Sequence, residues 1–308
     1  MTFWPRLHIF RNLVLILFRF LHVMVRELPI EVHNRAGDPV RGDLRYVEGT
    51  GRLPVLLVCH GFTAHKDWGP FPYFGSRLAK LGFASLVFNF SHNGVGKNSV
   101  RLTEKEKFAH NTVGKELDDV CGMLDALAGG EIGNGVADVD RIGIIGHSRG
   151  GGIAILSGSR DPRIKGVATW SGVGTFFRYT EHQKRAWEEQ GYLPVTIRGT
   201  KTALRYDREV LRDLEDHRAE YDLQKAVENL RIPLLIVHGA EDVAVKRSEP
   251  DSLYALADKT RTQYVVLEGV GHAFGAGHPF QGNNAAVDHV VDLTARWFHR
   301  FLSRRSDQ

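Results

Sequence analysis

The sequence predicts an α/β protein built on a mostly parallel, eight-stranded sheet flanked by helices. Three observations lead there. Continuous apolar runs such as Pro54-Val55-Leu56-Leu57-Val58-Cys59 have strand length and read as strands buried on both faces. Segments with apolar residues at helical spacing separate these runs, and strands alternating with helices require crossovers and parallel pairing. In mid-chain, Gly146-His147-Ser148-Arg149-Gly150-Gly151 joins the strand Arg141-Ile142-Gly143-Ile144-Ile145 to the helix-like Ile153-Ala154-Ile155-Leu156 through a glycine-flanked turn.

Taken in order, strands are expected at 28–33, 43–47, 54–59, 84–90, 141–145, 164–171, 232–238 and 263–268. Turn signals at Gly37-Asp38-Pro39 and Glu48-Gly49-Thr50-Gly51 bound the first two, which read as an antiparallel pair. A helix-like stretch covers about 73–81. A clear amphipathic helix carries Leu117, Val120, Cys121, Leu124 and Leu127 on one stripe and stops at Gly129-Gly130. Another holds Leu253 and Leu256, and the last carries Val287, Val290, Val291, Thr294, Trp297, Phe298 and Phe301.

From about 172 to 230 the texture changes. Phe176, Phe177, Tyr179, Trp187, Tyr192 and Tyr206 are mixed with many Arg and Glu, and strand signals are weak. Sheet strands resume afterwards, so the segment reads as an insertion within one domain, spanning 28–302. Its aromatic residues suit either an apolar or aromatic ligand or a small core of the insertion itself. Arg178, Lys184, Arg185, Arg198 and Lys201 suit a substrate carboxylate or, by default, a solvated face.

The 308 residues carry 40 Lys and Arg against 36 Asp and Glu, too mild an excess to imply a polyanionic partner. No zinc-ligand spacing or RNA-binding signature is present, so nucleic acid is not an expected partner. Cys59 and Cys121 read as buried free thiols. Residues 1–27 form a basic and apolar segment that Arg19 and His22 interrupt, which makes it a poor membrane span, and no small-x-small cleavage site follows. It reads as a leader or packed helix, with an interfacial anchor as the alternative. A cytoplasmic location follows from the first reading and membrane association through 1–27 from the second. Residues 303–308 form a tail. The oligomeric state stays open.

The glycine-flanked serine has the form G-x-S-x-G between a strand and a helix, which is the context of a nucleophile elbow. A phosphate-binding loop would need G-x-x-x-x-G-K-[ST], which this stretch lacks. An elbow serine needs a base, and the base an orienting acid, on loops at the carboxyl ends of other strands. Asp242 in Gly239-Ala240-Glu241-Asp242 and His272 in Gly269-Val270-Gly271-His272 stand just after the last two expected strands. The order Ser148, Asp242, His272 is that of the α/β-hydrolases. Glu241 competes for the acid. His278 competes for the base, or else braces the loop around His272. Oxyanion donors are expected from the backbone N–H of Arg149, after the nucleophile, and of Phe62, in the His60-Gly61-Phe62 turn after the third strand.

With these residues in hand, the chain resembles an α/β-hydrolase-fold serine hydrolase over roughly 29–302. His60-Gly61-Phe62-Thr63-Ala64-His65-Lys66-Asp67, Gly146-His147-Ser148-Arg149-Gly150-Gly151 and His238-Gly239-Ala240-Glu241-Asp242 resemble bacterial cinnamoyl and feruloyl esterases. They also overlap dienelactone-hydrolase-like and serine-aminopeptidase-like sequences. The resemblance implies a catalytic triad of Ser148, Asp242 and His272, oxyanion donors at Phe62 and Arg149, and no metal or organic cofactor. It implies a carboxylic ester hydrolase acting on a small-molecule ester with a small or aromatic acyl group. Peptidase, amidase or thioesterase activity on the same triad is the alternative, and a low-turnover binding module the alternative of another class. Three departures are visible. Arg149 stands where the cinnamoyl esterases often carry Gln, the loop from Ser91 to Ser99 only approximates their glycine-rich pattern, and no cysteine occupies the elbow, as it does in dienelactone hydrolases proper.

Overall fold

In the computed structural model, residues 24–303 are described, apart from 98, 197–202 and 283. The expectations for residues 1–23, and for Arg198 and Lys201, lie outside them. Eight strands form one sheet: β1 (Val25–His33), β2 (Pro39–Val47), β3 (Leu53–Cys59), β4 (Ala84–Asn89), β5 (Ala137–His147), β6 (Ile164–Trp170), β9 (Leu234–Gly239) and β10 (Thr262–Leu267). Their order across the sheet is β1-β2-β4-β3-β5-β6-β9-β10. β1 pairs antiparallel with β2, and β2 with β4, while every pair from β4 to β10 is parallel. This is the α/β-hydrolase arrangement.

The continuous apolar runs explain why the sheet is covered on both sides. Along β3, Val55, Leu57 and Cys59 join one core and Leu56 and Val58 the other. The first core lies under α3 (Val113–Ala128) and α4 (Arg149–Arg160). The second lies under α1 (Phe71–Lys80) and α9 (Ala285–Leu302). Each fully buried Leu, Val or Phe contributes about 1.5–3 kcal/mol relative to an exposed one. α9 crosses its sheet face closely because the strands there are bare: a Cβ on Gly143 would fall 2.3 Å from the Phe298 ring. Trp170 at the end of β6 donates its indole N–H to Thr294 Oγ1 of α9 at 2.9 Å, so its polar edge is satisfied inside the core.

Between β6 and β9 the insertion folds as α5 (Glu181–Gln190), a two-stranded antiparallel sheet of β7 (Tyr192–Thr196) and β8 (Ala203–Asp207), α6 (Arg208–Asp216) and α7 (Leu223–Glu228). A capping box at Thr180 and Gln183 starts α5, and Gly191, at φ 84°, ends it. Trp187, Val195, Leu204, Tyr206, Val210 and Leu211 form a separate small core with Phe108 of α2 (Lys105–Ala109). Strands β7 and β8 escape sequence patterning because they are short and include Pro194 and Arg205. The remaining helix, α8 (Ser248–Leu256), follows β9.

Two expectations need correction. The buried stripe of α3 runs through Val113, Glu116, Val120, Met123 and Leu127, which leaves Cys121 and Leu117 half-buried. At the end of α9, Phe301 is exposed.

Asp119 on α3 is fully buried and ties three segments together. Its carboxylate accepts hydrogen bonds from Asn34 Nδ2 at 2.7 Å, Ser91 N–H at 2.8 Å and the Ser91 hydroxyl at 3.0 Å. Burial nevertheless outweighs these donors and pushes the carboxyl up to about 7. Unfolded, it titrates near 4. Between these values the folded chain holds a proton that the unfolded chain has released, so this contribution to stability falls as pH rises. Asp119→Asn should therefore gain on the wild type by up to about 1.4 kcal/mol per pH unit across that window. Urea unfolding of both proteins at several pH values measures the slope; a constant difference between them would contradict it.

Candidate active site

The residues singled out in the sequence all follow strands of the parallel part of the sheet, at their carboxyl ends, where the crossover topology leaves a crevice. Ser148 separates β5 from α4 with φ 55° and ψ −120°, a conformation costly for a residue with a Cβ. The turn is held by main-chain bonds. Ser148 N–H donates to Trp170 O at 3.0 Å, and Ser148 O accepts from Gly151 N–H at 2.9 Å and Val173 N–H at 3.0 Å. The glycines are required by close approach. A Cβ on Gly146 would lie 2.0 Å from Gly150 O, and one on Gly150 would lie 2.5 Å from the carbonyl oxygens of Cys59 and His60. Ser148 occupies the N-cap position, yet its side chain caps no N–H of α4.

The turn after β3 lies alongside. A Cβ on Gly61 would stand 3.0 Å from Ser148 Cβ. His60 organises this turn from beneath: its Nδ1–H donates to Gly61 O at 2.9 Å, and Nε2 accepts from Phe90 N–H at 3.3 Å. Burial presses the imidazole down to about 4, so it is neutral and suited to one donor and one acceptor role. The N–H of Arg149 is the first of α4 and has no intrahelical acceptor. Phe62, next to the Ser148 turn, packs 5.5 Å from Tyr206 and 5.8 Å from Phe108.

After β9, Asp242 is buried. Its Oδ1 accepts the N–H groups of Ala244 at 2.8 Å and Val245 at 2.9 Å, and its Oδ2 accepts His272 Nδ1–H at 2.7 Å. Burial alone would raise this carboxyl, but the bonds from His272 and then Val245 outweigh it and hold it below its ordinary value. Glu241 is exposed and makes no such contact. His278 is engaged elsewhere: its Nδ1 accepts Gly69 N–H at 2.9 Å and its ring stacks 5.7 Å from Trp68, so it braces the neighbouring loop.

Two cavities meet at these groups. One of about 410 Å³ is walled by Val173, Phe176, Tyr179 and Tyr206 and floored by Ser148, Arg149 and His272. A second, of about 230 Å³, shares Phe62, Ser148 and His272 with it and runs beside Thr63, Ala64 and Trp68. Tyr206 belongs both to the insertion's own core and to the cavity wall. Of its basic residues Arg178 reaches the cavity, paired to Glu249 at 3.0 Å, whereas Lys184 pairs with Glu181 and Glu215 at 2.8 and 2.9 Å. Among the described residues no group of three or more His, Cys, Asp or Glu is arranged to hold a metal ion.

Two participants were not singled out in the sequence. His147 Nε2–H donates to the carbonyl of His272 at 3.0 Å, with the rings 4.8 Å apart, so the residue before Ser148 fixes the main chain that carries the His272 imidazole. Burial, then the adjacent His272, presses its pKa down to about 3, which keeps it neutral. Glu116 of α3 receives Arg149 Nε at 2.8 and 3.0 Å and Asn111 Nδ2 at 2.9 Å. Its signal was a carboxylate on the buried stripe between Val113 and Val120, a position that demands a cationic partner.

The chain belongs to the dienelactone hydrolase family, whose model matches residues 46–302. The fold is also that of the esterase domain of a Rhodothermus marinus protein, with a TM-score of 0.61 at 18% identity, covering 90% of this chain and 100% of that one. A dienelactone hydrolase from Anabaena variabilis aligns with a TM-score of 0.60 at 16% identity over 91% of this chain and 100% of that one. Est1E from Butyrivibrio proteoclasticus gives 0.58 at 17% identity, covering 89% and 96%. In sequence, an uncharacterised Escherichia coli protein from the traX-finO intergenic region is 25% identical over 125 residues, which is 41% of this chain and 39% of that protein's length. Family membership makes this a hydrolase.

His147→Leu removes the donor to His272 O and should lower kcat by about tenfold to a hundredfold with little change in KM. His147→Gln, which restores an N–H at a similar reach, should recover most of it. Steady-state kinetics of both variants test this; equal loss in the two would assign His147 a packing role only.

Proposed function

We propose that this hydrolase cleaves carboxylic esters through an acyl-enzyme on Ser148, with His272 as general base and acid and Asp242 as its orienting group. The observation that carries the reading is the 2.7 Å Asp242–His272 hydrogen bond, set beside a strained serine that shares both cavities with the imidazole. The bond fixes the proton on Nδ1 and leaves Nε2 as the acceptor for the serine proton. Ser148 Oγ attacks the ester carbonyl while His272 takes its proton. The N–H groups of Arg149 and Phe62 receive the oxyanion. His272 then protonates the leaving alcohol, and water repeats the sequence on the acyl-enzyme, returning acid and free serine.

The insertion acts as a lid over the larger cavity in this reading. Its Tyr206 touches Phe62 of the oxyanion turn, which links lid position to the turn's geometry. The aromatic walls suit a small or aromatic acyl group. Among the described residues no helix is long and apolar enough to cross a membrane.

Ser148→Ala should abolish hydrolysis of p-nitrophenyl acetate and labelling by a fluorophosphonate probe; undiminished turnover would refute the assignment. Asp242→Asn should keep the fold and lower kcat by about 10⁴-fold, because the amide presents the wrong partner to His272 Nδ1–H. A loss below tenfold would exclude Asp242 as the orienting acid.

A further inference from the structure

Three buried histidines stand at the carboxyl ends of parallel strands, each under one loop of the site. His60 serves the turn after β3, and His147, at the end of β5, serves the loop of His272. The third, His238, lies in β9 four residues before Asp242, and the reaction described above gives it no part. The side chains of His238 and Asp242 are both fully buried.

His238 Nε2–H donates to Val245 O at 2.9 Å and lies 3.5 Å from Asp242 Oδ2. That oxygen is the one that accepts His272 Nδ1–H. Val245 in turn gives its own N–H to Asp242 Oδ1. The acid loop is thereby closed on itself: imidazole to Val245 carbonyl, Val245 N–H to the carboxylate, and the carboxylate back beside the imidazole. The chain ahead of Asp242 has other supports, since Ala240 N–H donates to Leu267 O at 2.9 Å and Glu241 N–H to Val270 O at 3.0 Å. After Asp242 it swings outward, with Val243 83% exposed. Arg178 of the insertion holds Ala244 O at 2.8 Å from the surface side, and His238 holds Val245 from within.

The second ring nitrogen fixes how many protons His238 carries. Nδ1 is buried and has no hydrogen-bond partner among the described residues. With the proton on Nε2, Nδ1 is merely an unused acceptor. A doubly protonated ring would bury an unpaired N–H together with a charge. Burial accordingly presses the imidazole below its ordinary value. His238 therefore offers one fixed donor and takes up no second proton.

We propose that His238 is a positioning residue, whose Nε2–H anchors Val245 and the Asp242 carboxylate so that Oδ2 stays on His272 Nδ1–H while the imidazole gains and loses its proton. This rests on the Ser148, His272 and Asp242 reading above and adds to it a group that touches neither substrate nor serine. A carboxylate free to turn would leave the imidazolium of the first step without its stabilising partner.

The test is a double-mutant cycle read by the rate at which a fluorophosphonate probe labels Ser148, because labelling can be followed for hours in slow variants. His238→Leu removes the donor and should slow labelling, and lower kcat on p-nitrophenyl acetate, by about tenfold to a hundredfold. His238→Gln places an N–H at similar reach and should recover most of both. In Asp242→Asn the link to His272 is already cut, so adding His238→Leu should cost less than about twofold more. A residue that only supports the fold would impose the same factor in both backgrounds. Where circular dichroism shows His238→Leu unfolded, His238→Phe, which keeps a ring without a donor, takes its place in the cycle. Undiminished labelling without the donor, equal loss in the glutamine variant, or the same factor in the wild-type and Asp242→Asn backgrounds would overturn the proposal. Failure of the hydrolase reading looks different: wild-type Ser148 is not labelled, or Asp242→Asn is labelled as fast as the wild type.

Discussion

The site depends on one steric constraint, the close packing of main chain on main chain where β5 turns into α4. The start of the helix presses against the carbonyl oxygens of Cys59 and His60 at the end of β3, with distances that leave no space for a Cβ on Gly146 or Gly150. This contact sets how far Ser148 rises above the sheet and holds its positive φ. It also brings the first N–H of α4 next to the turn after β3, so in the proposed mechanism the nucleophile and the oxyanion donors come from one junction. The aromatic walls, the Glu116 anchor and the His147 clamp all attach to that junction.

Around it, neutral imidazoles act as braces. His60 supports the turn after β3 and His147 supports the loop carrying His272. Burial presses both well below neutrality, so each keeps a fixed donor and acceptor. His272 differs from both: its Nδ1 pairs with the buried Asp242 carboxylate while its ring lines the two cavities.

The sheet was legible in the sequence because its strands are long apolar runs, and strand number and direction follow from alternation with helices. Ser148, Asp242 and His272 were legible because each stands directly after such a strand. The hairpin of the insertion was not, since β7 and β8 gain stability from Trp187 and Tyr206 packing rather than from a two-residue pattern of their own. His147 and Glu116 were hidden for another reason. One acts through a main-chain carbonyl and the other through a partner 33 residues away, and neither relation leaves a local motif. The apolar spacing places Leu117 rather than Glu116 inward on α3, because a buried carboxylate looks like a surface residue until its arginine partner is known.

The most direct test of the account is to trap the acyl-enzyme. Rapid mixing with an excess of a slowly deacylating aryl ester, acid quench and peptide mass spectrometry should find the acyl mass on the peptide containing Ser148, at up to one equivalent per chain, formed in step with the burst of released phenol. Steady turnover with no acyl group on that peptide, or with the acyl group on another residue, would contradict it.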